Sequence, residues 1–346
     1  MKNYKGIEGD YLEVKDSNLI FDIKGLVHPD DRKICFIRFY PHPEGDRERS
    51  GTTYKKIYNI EDRYKFLKEH YPQYIFYSKQ RDLALQGVPT DEIKKIYTPR
   101  DYFQQLQKKN SLSRIEKSSL ELCQLLIENS NLPDDAIGVT GSPMVGLNKN
   151  ISDIDLIIYG TEVSRRFQES MKDIFKSGSF CREYNLSEYQ SHYQFRAGGS
   201  ALPFDKFYKC EKRKLHQGMY KGFEFFIRYI KSPKDWPSSY YDYQYKDYGR
   251  IKIRAKITED KDSIFTPCTY KIEDVHILDD KHLKKEIEIQ LLNQINSYRG
   301  RFCEQAKKGE NVLVVGKIEK VVEKQSRIYY RLLLQDQERD KMLLLE

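Results

Sequence analysis

The sequence predicts an α+β fold: a mixed sheet with helices on one face, flanked by an N-terminal α+β block and a C-terminal β-rich, barrel-like block. Three observations carry that expectation. Residues 112–230 show helix and strand patterns in the order that a mixed sheet covered by helices requires. Residues 251–257 alternate strictly, with isoleucine and alanine on one face and Lys252, Arg254 and Lys256 on the other, and further strand-like runs follow. Before residue 107, short strand patterns punctuated by glycine and proline accompany one amphipathic helix. A chain of 346 residues exceeds one small core and suits two or three domains, read here as blocks 1–107, 108–235 and 236–346.

In the first block, residues 18–23 and 34–40 read as strands joined by the turn 24–31, and residues 41–46 read as loop before a strand at 52–58. Ile60, Tyr64 and Leu67 fall at helical spacing, and Tyr71-Pro72 stops that helix. Asp22, Lys24, His28, Arg38 and Arg47 are the polar residues here that could line a site, and loop polarity explains them equally well.

The central block opens with a capping box, Ser113 and Glu116, ahead of an apolar stripe of Ile115, Leu122, Leu125 and Leu126. Residues 131–135 break that helix and a short strand leads into Gly141. After a second strand, Gly160-Thr161 starts a helix whose Val163, Phe167, Met171, Ile174 and Phe175 share one face, with Gly178 as its stop. A third strand covers 223–230, and 231–239 read as a linker. Beyond it, strands are expected at 265–272, 312–321 and 327–334, with a helix near 281–294, and a small barrel akin to an oligonucleotide-binding fold accounts for them.

The chemistry concentrates at residues 138–158. An apolar run ends in Gly141-Ser142, a turn that can open a helix and offer N–H groups and a hydroxyl to phosphate oxygens. Eleven residues after Ser142 stands Asp153, then Asp155, heading the apolar run 156–159. Strand alternation puts both carboxylates on one face about 7 Å apart. Carboxylates that close repel unless positive charge stands between them, and a divalent cation is the usual answer. Short Asp-x-Asp sequences are common and can simply end a strand; the Gly-Ser turn at this distance and the apolar flanks give this one its weight.

On Gly141, Ser142, Asp153 and Asp155, the segment resembles the nucleotidyltransferase superfamily typified by DNA polymerase β, over about residues 112 to 230. Stretches at 21–28, 265–268 and 298–305 resemble a group of predicted archaeal nucleotidyltransferases. The resemblance implies Mg²⁺ or Mn²⁺ held by Asp153, Asp155 and a third carboxylate, a nucleoside triphosphate as substrate, and an acceptor hydroxyl that displaces pyrophosphate. Glu224, on the strand expected beside Asp-x-Asp, is the favoured third ligand. Asp205 is the alternative, although Pro203 argues for an edge or loop there. Ser142 is expected on a phosphate oxygen. Lys149, Arg228 and the cations of 209–214 could steady the triphosphate. A solvated side chain is the plainer role for Lys149, and an ion pair for Arg228.

The formal charge of +8 is gathered at 209–214 and on Lys252, Arg254 and Lys256, which suits a triphosphate or a nucleic-acid backbone. Tyrosines at 240–248 can stack bases, so RNA is the leading acceptor. A protein hydroxyl, a small molecule, and a non-catalytic nucleic-acid-binding protein on the same fold are the alternatives. No apolar run reaches the ~18 residues of a membrane span, and the first ten residues lack a leader pattern, so a cytoplasmic protein without membrane contact is expected. Six cysteines without a paired spacing read as reduced core thiols rather than zinc ligands or disulfides. His192 and His216 stand alone and read as structural.

Overall fold

The structure is a computed structural model and describes residues 4–178, 180–197 and 202–345. In chain order, strands β1 (Tyr11–Val14), β2 (Ile20–Ile23) and β3 (Arg32–Pro41) precede the hairpin of β4 (Arg47–Arg49) and β5 (Thr52–Lys56). Helix α1 (Ile60–His70) starts where the Asn59 side chain accepts the Glu61 N–H, and stops at Tyr71-Pro72. Strands β6 (Ile75–Ser78), β7 (Leu83–Pro89) and β8 (Ile93–Tyr97) follow. Together they form an eight-stranded sheet, ordered β4-β5-β3-β2-β1-β8, with β7 on β3 and β6 on β7. Leu12, Phe21, Ile23, Cys35 and Ile37 build the core on one side of it. Alternation therefore sends Tyr11, Asp22, Phe36 and Arg38 to the other side, and Tyr11–Asp22 and Asp22–Phe36 are register partners.

Helices α2 (Pro99–Lys108) and α3 (Arg114–Ser130) lead to β9 (Ile137–Thr140) and β10 (Ile154–Tyr159). The α3 capping box is formed as read, and Asn131 closes the helix in a left-handed conformation. Next come α4 (Thr161–Lys176), β11 (Cys181–Arg182), α5 (Leu186–Ala197), α6 (Phe204–Glu211), β12 (Gln217–Tyr220) and β13 (Phe223–Ile230). The second sheet is ordered β11-β12-β13-β10-β9, with β10 and β13 parallel and the other neighbours antiparallel. Phe167 and Phe175 of α4 pack on Tyr229 and Phe225 of β13. The opposite face, which carries Ile157, receives the N-terminal segment at Gly9, where a Cβ would come within 2.8 Å of the Ile157 side chain.

The remaining strands are β14 (Tyr243–Asp262), β15 (Cys268–Leu283), β16 (Leu292–Ser297), β17 (Asn311–Glu323), β18 (Arg327–Leu334) and β19 (Lys341–Leu344). Their pairings run β14-β15-β16-β18-β17, and β17 meets β14 again, which curls the sheet into a half-barrel around Ile253, Tyr270, Ile295, Val314 and Leu332. The helix expected near 281–294 does not form. Ile287, Ile289 and Leu291 repeat with period two rather than 3.6, and they lie against the barrel core through an extended segment and one 3₁₀ turn.

The chain divides into two compact units. One holds 1–79, 83–182 and 217–240; the other holds 80–82, 183–216 and 241–346. Both sheets that precede β14 thus belong to the first unit, and α5 and α6 to the second. All six cysteines are buried and free. Among the described residues, no helix is long and apolar enough to cross a membrane.

Candidate functional site

Gly141 leaves β9 at φ +81°, a conformation that side chains rarely adopt. A Cβ there would stand 2.7 Å from Asp155 Oδ2, so the carboxylate occupies the space that a side chain would need. Register explains the proximity, because Asp155 is the β10 partner of Thr140. Thr140 in turn donates to the Gly9 carbonyl at 2.6 Å and anchors the strand end.

The turn that follows does not become an α-helix. Residues Pro143–Val145 make a single 3₁₀ turn, closed by Gly146 at φ +68°, with the Leu147 N–H returning to the Ser142 carbonyl at 2.9 Å. Glycine in the left-handed conformation ends the turn before a second one can stack on it. The loop is then tied at its base: Ser142 Oγ donates to Ser152 Oγ at 3.3 Å, and Ser152 Oγ accepts the Lys149 N–H at 2.8 Å. Arg47 donates to the Leu147 carbonyl and Arg49 to the Val145 carbonyl at 3.5 Å, so the first sheet braces the loop. Lys149 pairs with Asp46.

Asp153 is exposed and Asp155 half-buried, on the sheet face that meets the N-terminal segment. Burial, with the Asp153 charge beside it, pushes the Asp155 carboxyl up to about 7, against the pull of Arg228, Lys56 and Arg38. Those cations differ in their commitments. Arg228 donates to Glu8 at 2.6 Å, and Glu8 also takes Lys24 at 3.2 Å and the Gly25 N–H at 2.8 Å. Arg38 and Lys56 make no side-chain hydrogen bond or ion pair with any described residue. The Arg38 Nε is buried without a partner. Lys56 rests 4.7 Å over the Tyr58 ring, and burial together with Arg38 draws its ammonium down to about 8. Arg38 feels Tyr11, Asp22, Asp155 and Asp153, so one charged cluster, the basin, draws its residues from both sheets.

Glu224 stands on β13 opposite Met219, one residue before the Ile154–Phe225 pair, which puts it level with Asp153. It shares a face with Phe226, the rung partner of Asp155, and with Arg228. Asp205 lies in the first turn of α6, in the second unit; Pro203 caps that helix instead of marking an edge or loop. Proline fits a helix start because the N–H it lacks would have no intrahelical partner there. Of the 209–214 cations, Arg213 is held bidentately by Glu310 at 2.9 Å, and Lys214 is buried against Glu211 and the Arg301 carbonyl, so these two support the second unit. His192 and His216 sit 3.4 and 2.9 Å from Glu211 and Glu304 in that unit. The basic row of β14 runs beside His276 and Asp279 of β15, and Lys256 pairs with Glu273 at 3.2 Å.

Asp22, whose polarity a loop would explain in the sequence alone, stands in mid-strand on β2. It shares Arg38, Arg228 and Tyr11 with Asp155, and Lys24 at 2.8 Å holds it below the usual range despite burial. The available signal was a charged residue in mid-strand, flanked by Phe21 and Ile23. No three His, Cys, Asp or Glu side chains among the described residues form a ready metal cage. Two adjacent carboxylates do suit Mg²⁺, which usually takes one or two of them and completes its shell with phosphate oxygens and water.

The chain matches no family model. It is 25% identical over 333 residues to an uncharacterized protein, MJ1086, of Methanocaldococcus jannaschii, with 94% of each chain covered. No solved structure matches it.

Proposed function

We propose that this protein is a Mg²⁺- or Mn²⁺-dependent nucleotidyltransferase that moves a nucleoside monophosphate from a triphosphate to an acceptor hydroxyl, with RNA as the first acceptor to test. The observation that carries this reading is the basin itself. Asp155 lies against the Gly141 turn with Asp153 beside it, and Arg38 and Lys56 feel that pair while making no side-chain hydrogen bond or ion pair with any described residue. The carboxylates beside them are the charges that a divalent cation would neutralise, which leaves two half-buried cations, held by no side-chain hydrogen bond among the described residues, to meet a polyanion.

Asp153 and Asp155 would hold the cation, with Glu224 or Asp22 as the further carboxylate. Bound there, it would make the acceptor hydroxyl more acidic and offset charge on the phosphates. Arg38, Lys56 and the N–H groups after Gly141 would position the β- and γ-phosphates, with Ser142 at the loop base. The acceptor oxygen bonds to the α-phosphorus as the bond to the bridging oxygen breaks, pyrophosphate leaves, and the hydroxyl proton passes to water. The Lys252 and Arg254 row on β14 of the second unit supports an RNA acceptor, whereas Tyr245 is buried beneath Arg331 and Arg81 and offers no ring for stacking.

Incubation with labelled nucleoside triphosphates, Mg²⁺ or Mn²⁺, and total RNA or protein tests this reading. Label on RNA, lost in Asp153→Asn and Asp155→Asn, is the expected result. Label on protein would move the acceptor to a side-chain hydroxyl. Salt-sensitive RNA binding that survives both substitutions, without pyrophosphate release, would identify a non-catalytic nucleic-acid-binding protein instead.

A further inference from the structure

An opening in the first unit lies beside the loop that follows Gly141. It is a cavity of about 560 Å³, walled on one side by Pro143–Gly146 and on the others by β1, β4, β5, β8 and the α2–α3 region. Four cations line it, Arg49, Lys94, Lys95 and Lys109, against two carboxylates, Glu13 and Glu116. Both carboxylates are committed. Glu13 takes Arg49, Lys94 and the Tyr97 hydroxyl, and Glu116 takes Lys109 and the Tyr102 hydroxyl. The cavity therefore keeps a positive excess, and exposed Lys95, 4.4 Å over the Tyr97 ring, makes no ion pair with any described residue.

Arg49 links this cavity to the loop. Its guanidinium meets Glu13 at 3.0 Å, the Tyr97 hydroxyl at 3.1 Å and the Val145 carbonyl at 3.5 Å. Three Cα steps separate Gly141 from Met144 of the wall, so the cavity begins within about 11 Å of the glycine that touches Asp155. Its volume is in the range of small-molecule pockets, and it combines cations with a tyrosine ring and an apolar loop wall.

We propose that this cavity is a nucleotide-binding subsite, separate from the Asp153–Asp155 basin, that takes a phosphate-bearing nucleoside. Lys95 and Arg49 meet the phosphate, and Tyr97 with the Pro143–Gly146 wall meets the base. The ligand is either a free nucleotide or the end of a single-stranded RNA, which share this chemistry. The inference rests on the nucleotidyl-transfer reading only for the nature of the ligand.

The test measures binding of fluorescent AMP, fluorescent ATP and a short single-stranded RNA in EDTA, with no transfer reaction involved. Lys95→Glu reverses one charge, and Thr52→Trp fills the cavity from β5 without removing a hydrogen bond. Binding of at least one probe in EDTA, weakened tenfold or more by both variants and unchanged in Asp153→Asn, is the expected result. The probe that binds identifies the source of the nucleotide. Absence of metal-free binding, or metal-free binding that both variants leave intact, overturns the subsite even if metal-dependent transfer is observed. Metal-free binding lost in the variants, in a protein that never transfers, keeps the subsite and refutes the enzyme. Melting midpoints of both variants within a few degrees of the parent would exclude misfolding as the cause.

Discussion

Residue by residue, the basin sets stability against binding. Lys56 has its ammonium drawn down to about 8 by burial and Arg38, so its charged form is less favourable folded than unfolded at neutral pH. Lys56→Met should raise the unfolding free energy by about 1 kcal/mol after solvent screening, and weaken metal-dependent triphosphate binding tenfold or more. Urea unfolding and nucleotide titration check the two halves, and a loss of stability would mean that Lys56 is already compensated by the protein. Gly141→Ala meets both the positive φ and the Asp155 carboxylate, and should cost at least about 1 kcal/mol together with nucleotide binding. His28 gives the pH dependence. Its Nδ1 accepts the Ile34 N–H at 3.1 Å, and burial with Lys33 nearby holds the ring down to about 3. A base depressed on folding contributes stability that is complete above its unfolded value, about 6.5, and declines as pH falls toward the folded one. Stability should drop between pH 6.5 and 4 by less than the ~1.4 kcal/mol per pH unit of a fully buried group. His28→Asn, which keeps an acceptor and cannot take the proton, should flatten that slope.

At the scale of elements, what the sequence disclosed tracks how local each signal is. The capping box at Ser113, the helix stop at Tyr71-Pro72 and the strands into Gly141 and through Asp155 all rest on neighbours within four residues, and all form. Ser113→Ala should lower stability by about 1 kcal/mol, read from denaturant unfolding; no change would mean that tertiary packing holds the α3 start unaided. The same local logic contained α2, since Thr98 caps it from the Asp101 N–H and Pro99 takes its first position. The failures are of two kinds. Residues 281–294 imitate a helix although their apolar residues at 287–291 repeat with period two, and the Gly-Ser turn imitates a helix start although Gly146 stands five residues on. The Asp153–Asp155 pair and its glycine were legible because one hairpin of sequence holds them. Arg38, Lys56 and Asp22 were not separable from surface polarity, because only the packing of one sheet on another shows what they face.

For the whole molecule, the second unit is the one whose making the sequence hid. The described residues of 183–216 join strands far along the chain, where Tyr193, Phe204 and Phe207 pack with Leu343, and a network of buried charges sits among them. Glu211 is buried between His192 and Lys214, whose ammonium reaches it at 2.5 Å and the Arg301 carbonyl at 2.6 Å. Burial alone would raise its carboxyl, yet Lys214 and His192 hold it far below the usual range. A depressed carboxylate contributes stability above its unfolded value, about 4.3, and loses it as pH falls further. Glu211→Gln leaves a buried ammonium without its counter-charge, which should cost about 3–5 kcal/mol and unfold this unit first on heating. Lys214→Met alone strands the carboxylate and should cost a similar amount. The double substitution removes both charges, so its loss should be well below the sum of the singles, with a coupling of at least about 2 kcal/mol. Denaturant unfolding of the four proteins at pH 7 measures that coupling. Additive losses would mean that the two side chains act on the fold independently, and that packing around Leu343 rather than charge fixes 183–216 on the barrel.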